Sequence, residues 1–290
     1  MRPERPFLTA RWSELVMLNF KVPADAVARV APAGTKPDLF EGEAYLSVVG
    51  FLFRDARMFG LRFPGHARFE EVNLRYYVRR EVGGQIRRGV VFVQEIAPRP
   101  IVAAVARWVY NESYVTLPMR SEVCSAGEIL GAGDRVGYEW RTGGRVACHW
   151  NRLAARAAAG PQLPTAGSLE EFIVEHYWAY VRGRDGSTWE YRVAHRPWRV
   201  APAADVVWDC DLPATYNTPL AKYLAVPPVM GMIADGSSVQ VFRGRRCDVS
   251  AKRRILHAER EDYTEEAACR PLPPAGLCPS HSPRDRSSAR

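Results

Sequence analysis

The chain has 290 residues, 40 Lys and Arg against 32 Asp and Glu, a formal charge of +8, and is 47% hydrophobic and 25% charged. These are the fractions of ordinary soluble globular proteins, and they exclude bulk disorder and a fibrous protein. Only Lys21, Lys36, Lys222 and Lys252 are lysines; the arginines are scattered among acids rather than gathered into the dense basic patch that nucleic-acid binding needs.

At the N-terminus, Arg11 and Glu14 interrupt what would have to be the apolar part of a signal peptide. No apolar run approaches the roughly 18 residues that span a bilayer, so a cytoplasmic protein with no membrane partner is expected. Pro23–Val30 reads as a helix with proline at its first position. Tyr45–Arg54 is a β-prone run, and Val72–Arg80 alternates strictly. Gly83-Gly84 turns that strand into Gly89–Ile96, a hairpin. Pro100–Tyr110 is a second proline-led helix. Strands follow at Met119–Cys124, Arg135–Arg141 and Arg145–Arg152, the last two joined by a turn at Gly143-Gly144. Ser168–Val181 carries the strongest helix signal: Ser168 and Glu171 form a capping box, and Leu169, Phe172, Ile173, His176, Tyr177 and Tyr180 make one stripe. Thr188–Ala194 and Ser238–Arg243 complete a series of short strands with few helices, which favours a barrel or paired sheets. Residues 1–246 thus read as one mainly β domain. Residues 247–290, rich in Pro, Ser and Arg at their end, read as a disordered low-complexity tail.

The strand Glu71–Val78 carries the most chemistry. Alternation places Glu71, Asn73, Arg75 and Tyr77 on one face and Val72, Leu74, Tyr76 and Val78 on the other. A Glu/Asn/Arg/Tyr face either meets solvent or lines a polar cavity. Glu95, at the end of the next strand, is placed to converge with Glu71 as a pair of carboxylates of which one holds its proton against the other. His176 lies on its helix's apolar stripe, where a core histidine with one hydrogen bond and a catalytic base are the competing readings. The six cysteines include no Cys-x-x-Cys pair and read as reduced thiols. No metal-ligand spacing, nucleophile elbow or phosphate-cradling glycine loop is present, so neither a metal nor a cofactor is expected.

Arg11-Trp12 through Phe20, Pro32-Ala33-Gly34-Thr35, Gly42–Phe53, Glu70–Arg75, Gly89–Met119, Ser168–Tyr180 and Trp198 together resemble the YqjF-like group of uncharacterised bacterial proteins in the acetoacetate-decarboxylase-like superfamily. The resemblance implies a closed, mostly antiparallel β-barrel with a few helices around a cavity. It matches Glu71 to a cavity glutamate and Arg107 to an arginine of the superfamily's decarboxylase. That enzyme forms an imine on a lysine held at low pKa by a second lysine. The corresponding stretch, Ser113 to Val115, has no lysine, so decarboxylation by that route is not expected. Lys222, on an apolar helix-like stretch, reads as an exposed head on a buried stem.

The reading is a β-barrel that binds a small organic molecule, with Glu71 and Glu95 as candidate acid/base residues and Asn73, Arg75, Arg107 and Tyr114 as candidate ligand-binding residues. Arg75 or Arg107 supplies the bidentate fork for a carboxylate or enolate. The alternative is a non-catalytic sensor or carrier in the same barrel. Oligomeric state is left open, including a homo-oligomer.

Overall fold

The computed structural model describes residues 4–62, 68–101, 103–104, 111–125, 130–144 and 147–248. In chain order these give β1 (Leu8–Val22), α1 (Ala24–Val30), β2 (Lys36–Pro37), β3 (Ala44–Met58), β4 (Leu61–Arg62), β5 (Arg68–Val82) and β6 (Gln85–Ala97). There follow β7 (Tyr114–Thr116), β8 (Met119–Cys124), β9 (Arg135–Gly143), β10 (Cys148–Ala157), α2 (Leu169–Val174), β11 (Trp178–Arg182) and β12 (Thr188–His195). The described part closes with β13 (Val200–Asp209), α3 (Leu212–Thr215), a 3₁₀ turn (Ala221–Leu224), β14 (Met230–Val241) and β15 (Arg245–Arg246). The protein is mostly β, and nearly all pairings are antiparallel; β6 pairs in parallel with β7 and β11. Among the described residues no helix is long and apolar enough to cross a membrane.

The strands pair in the order β12–β11–β6–β5–β3–β1–β14–β13–β10–β9–β8. Val193–His195 of β12 pair additionally with Val239–Val241 of β14, so the pairings that leave β14 through β1 return to it through β12. This gives the central strands two covered faces. On β5, Val72, Leu74, Tyr76 and Val78 belong to one apolar cluster with Tyr138 and Trp140 of β9 and Leu153 of β10. Phe69 and Tyr77, on the other face, belong to a second cluster with Leu15, Met17 and Phe51. The polar face of β5 therefore does not meet solvent. Glu71, Asn73, Arg75 and Tyr77 are all buried.

The expected hairpin forms. Val82 pairs with Gln85, and Gly83 and Gly84 both take positive φ, +56° and +77°, as a two-residue turn of this hand requires. Two expectations need correction. The helix expected over Ser168–Val181 is only α2, six residues long; Trp178–Arg182 is instead β11, pairing with β12 and running parallel to β6. Its start is as expected: the Ser168 hydroxyl accepts from the Glu171 amide at 3.2 Å. The Glu171 carboxylate, however, reaches past Ser168 to the Gly167 amide, at 2.6 Å. The long strands β1 and β13 were not expected either. Of the helix expected over Pro100–Tyr110, residues 100, 101, 103 and 104 are helical; the rest lies outside the described residues, as does nearly all of the tail.

Candidate functional site

A cavity of about 130 Å³ lies on the second face of β5, on the order of the ~150 Å³ apolar cavity that admits benzene. Antiparallel register arranges its wall. Along β5, Phe69, Glu71, Asn73 and Arg75 succeed one another at every second residue, opposite Phe53, Phe51, Val49 and Ser47 of β3. Beyond Phe69 the lining passes to Ala56, Arg57 and Met58 near the surface. Beyond Arg75 it is blocked by Tyr77 and by α2, where the Tyr77 and Phe172 rings lie 5.5 Å apart.

Glu95 reaches the same wall because β6 is irregular. Leu74 pairs with Gln94 but Arg75 pairs with Phe92, leaving Val93 as an extra residue. The bulge lets both Phe92 and Glu95 line the cavity, which strict alternation forbids. Gln94 points the other way and donates to the Thr215 carbonyl at 2.6 Å. Tyr114, paired alongside Glu95, donates its hydroxyl to Glu71 Oε2 at 2.7 Å. Asn73 Nδ2 donates to Glu71 Oε1 at 3.3 Å.

A third carboxyl, not among the expected site residues, completes the cluster. Glu112 stands two residues before Tyr114, is buried, lines the cavity and accepts from the Tyr191 hydroxyl at 2.6 Å. Its one sequence signal is the i, i+2 spacing from Tyr114, which puts both on one side of an extended segment.

Among the described residues none of the three carboxyls has an ion-pairing cation, and burial dominates each. Burial pushes Glu71 up to about 7, with Tyr114 and Asn73 hydrogen bonds pulling the other way. Glu112 is pushed up to about 8, again by burial, against the Tyr191 hydrogen bond. Glu95 is held well above the usual carboxylate range by burial, then by its neighbours Glu112 and Glu71. Taking a charge out of water costs more than holding a proton, so Glu95 and Glu112 are largely neutral acids near pH 7, while Glu71 is divided between its two forms.

Among the described residues Arg75 is the buried cation of the wall. Its Nε donates to the Tyr77 hydroxyl at 3.4 Å and its Nη2 to the Ile173 carbonyl at 3.5 Å. Among the described residues no carboxylate lies within ion-pairing distance of it. Among the described residues eight buried side-chain polar atoms lack a partner, and four of them belong to residues of this wall: Trp12 Nε1, Asn73 Oδ1, Glu95 Oε2 and Glu112 Oε2. Folded proteins leave few such atoms.

The structure thus brings together Glu71, Glu95, Asn73, Arg75 and Tyr114, while Arg107 lies outside the described residues. His176 is a buried core histidine whose Nε2 meets Asp38 Oδ2 at 3.3 Å, with burial pushing its pKa down to about 4. Lys21, Lys36 and Lys222 are exposed and away from the cavity; Lys252 is outside the described residues. Among the described residues, no group of three His, Cys, Asp or Glu is arranged to hold a metal ion.

Residues 9–237 match the DUF2071 family, described as an uncharacterized conserved protein. The uncharacterized protein YqjF of Bacillus subtilis (strain 168) is 24% identical over 190 residues, covering 64% of this chain and 72% of YqjF. Among solved structures, the enduracididine biosynthesis enzyme MppR complexed with pyruvate is 16% identical with a TM-score of 0.55, covering 85% of this chain and 92% of MppR. An acetoacetate-decarboxylase-like enzyme from Sphingomonas wittichii RW1 is 12% identical, also with a TM-score of 0.55, covering 83% of this chain and 93% of that one. At these identities the structures establish the fold, which is acetoacetate-decarboxylase-like.

Proposed function

The chain belongs to the DUF2071 family, and from that premise we propose that it is a cytoplasmic, small-molecule-binding protein that acts on a carbonyl or carboxylate compound by carboxylate acid/base chemistry, without a Schiff-base lysine. The pairings that return from β12 to β14 are read as a barrel closed around the cavity. The observation that carries the proposal is the concentration of unpartnered buried polar atoms on one cavity wall. Such atoms cost about 1–3 kcal/mol each when left unpaired, and a ligand that meets them recovers that cost.

The roles follow from how the environments separate the acids. Glu95, held well above the carboxylate range, stays protonated and donates to a carbonyl oxygen on which negative charge develops. Glu71, near 7, is half ionised at neutral pH and serves as the base for a proton beside that carbonyl. The Tyr114 hydroxyl orients Glu71. Arg75, with Asn73 beside it, holds the carboxylate, and Arg107 is assigned the same role from the family resemblance.

The test is a panel of keto acids and aldehydes incubated in deuterated buffer, with exchange of the proton beside the carbonyl and any turnover followed by proton NMR. Pyruvate is the natural first member, since a solved structure of the same fold carries it. Catalysed exchange that falls at least 100-fold in Glu71→Gln is expected. Full activity in that variant would remove Glu71 from the chemistry. Saturable binding without exchange or turnover would favour the sensor or carrier reading, which the neutrality of Glu95 and Glu112 also suits.

A further inference from the structure

We propose that the ligand is an amphiphilic organic anion, with its carboxylate at Arg75 and an aliphatic or aryl body running out along the aromatic section of the cavity to the mouth. The inference rests on the small-molecule reading above and adds the substrate's shape. Apart from Arg57 at the mouth, the charged and polar side chains of the lining lie in the closed part of the wall. From Arg75 to Phe69 is six residues of β5, about 20 Å of strand, and the polar side chains of that row end at Glu71. From there outward the lining is Phe51, Phe53, Phe69 and Trp12, then Met58 and Ile101, with Arg57 beside them at the mouth. The Phe53 and Phe69 rings stack at 4.5 Å, and Trp12 lies 5.2 Å from Phe51.

The apolar section does not stop at the surface. Phe7 lines the cavity and packs edge-on against Phe59 at 4.7 Å. Phe59, Leu61 and Ile101 are 58%, 69% and 54% exposed. Exposed large apolar side chains continuous with an apolar cavity mark a ligand groove rather than an ordinary surface. A three-carbon keto acid would fill only the polar end and leave this section in water.

The polar end, in turn, suits an anion. Arg75 is 7% exposed and has no described carboxylate to neutralise it, so a ligand carboxylate supplies the missing charge. Glu95 and Glu112 hold their protons and do not repel that anion, and Asn73 separates Glu71 from Arg75 along β5. An organic cation would find Arg75 at the end of its path.

The experiment measures binding of pyruvate, 2-oxobutyrate, 2-oxohexanoate, 2-oxooctanoate and phenylpyruvate to the full chain by calorimetry. Affinity is expected to rise about fourfold for each methylene that enters the apolar section, and phenylpyruvate should exceed pyruvate by tenfold or more. Leu61→Ser and Ile101→Ser, both exposed positions, should narrow the ratio between 2-oxooctanoate and pyruvate at least threefold. Pyruvate binding as tightly as the longer acids would overturn the amphiphile and leave the keto-acid site standing. Binding by no member would overturn both.

Discussion

Two buried carboxylate sites in this molecule solve the same problem in opposite ways. Glu190 of β12 is 2% exposed and is met by three guanidinium groups: Arg87 at 2.6 Å, Arg245 at 2.8 Å and Arg80 at 3.1 Å. These arginines come from β5, β6 and β15, so the carboxylate ties three strands together. Glu71, Glu95 and Glu112 are equally buried, yet their described partners are hydroxyls and an amide. A buried charge must be neutralised by a counter-ion or by a proton. The first solution builds a fixed joint. The second leaves acids with protons to give and atoms with bonds to make, inside a cavity.

The contrast is broken most severely at the joint. Glu190→Leu leaves three arginines facing an apolar side chain and should destabilise the fold by about 3 kcal/mol or more, measured by urea unfolding. The same isosteric test at the cavity should go the other way with pH. The unfolded chain releases the Glu71 and Glu112 protons near 4.5 and the folded chain only near 7 and 8. Between those values the folded state holds more protons, so stability is full below about pH 4.5 and falls as pH rises through 7 to 8. For Glu71 alone the shift corresponds to roughly 3 kcal/mol. Glu71→Gln and Glu112→Gln should therefore flatten the fall in melting temperature between pH 5 and 9 and stabilise the protein at the alkaline end. An unchanged pH slope in both variants would place the titrating groups elsewhere.

Smaller effects sharpen the frame around the two sites. At Gly89, where β6 runs beside β11, an added Cβ would stand 2.6 Å from the Trp178 carbonyl oxygen. Gly89→Ala should cost about 1–3 kcal/mol, since backbone rather than a flexible side chain must yield. Ser168→Ala removes only the cap of α2 and should cost about 1 kcal/mol.

What the sequence makes legible follows from how local each signal is. The alternation of Glu71 to Val78 correctly sorts the two faces of β5, and the Gly-Gly pair correctly marks its turn, because both depend on neighbours in the chain. Whether the polar face meets water depends on the far side of the pairing circuit, which no local pattern encodes. The Val93 bulge, which turns Glu95 into the cavity, is likewise set by pairing. His176, Tyr177 and Tyr180 fit a helical stripe, yet pairing of β11 with both β12 and β6 overrides that propensity. In β1, every residue from Leu15 to Phe20 is buried, because both faces are covered, and the alternation that would reveal a strand disappears. Glu112 is missed for a related reason: its cluster is assembled from β5, β6, β12 and the approach to β7, and only the fold brings them together.

The central claim is that the cavity carboxyls hold their protons well above the ordinary carboxylate range, and carbon-13 NMR of their side-chain carboxyl groups against pH tests it most directly. With resonances assigned through the Glu71→Gln, Glu95→Gln and Glu112→Gln variants, Glu71 should titrate near 7 and Glu112 near 8, with Glu95 still protonated well above the ordinary carboxylate range. All three titrating at the ordinary carboxylate value near 4.5 would contradict it.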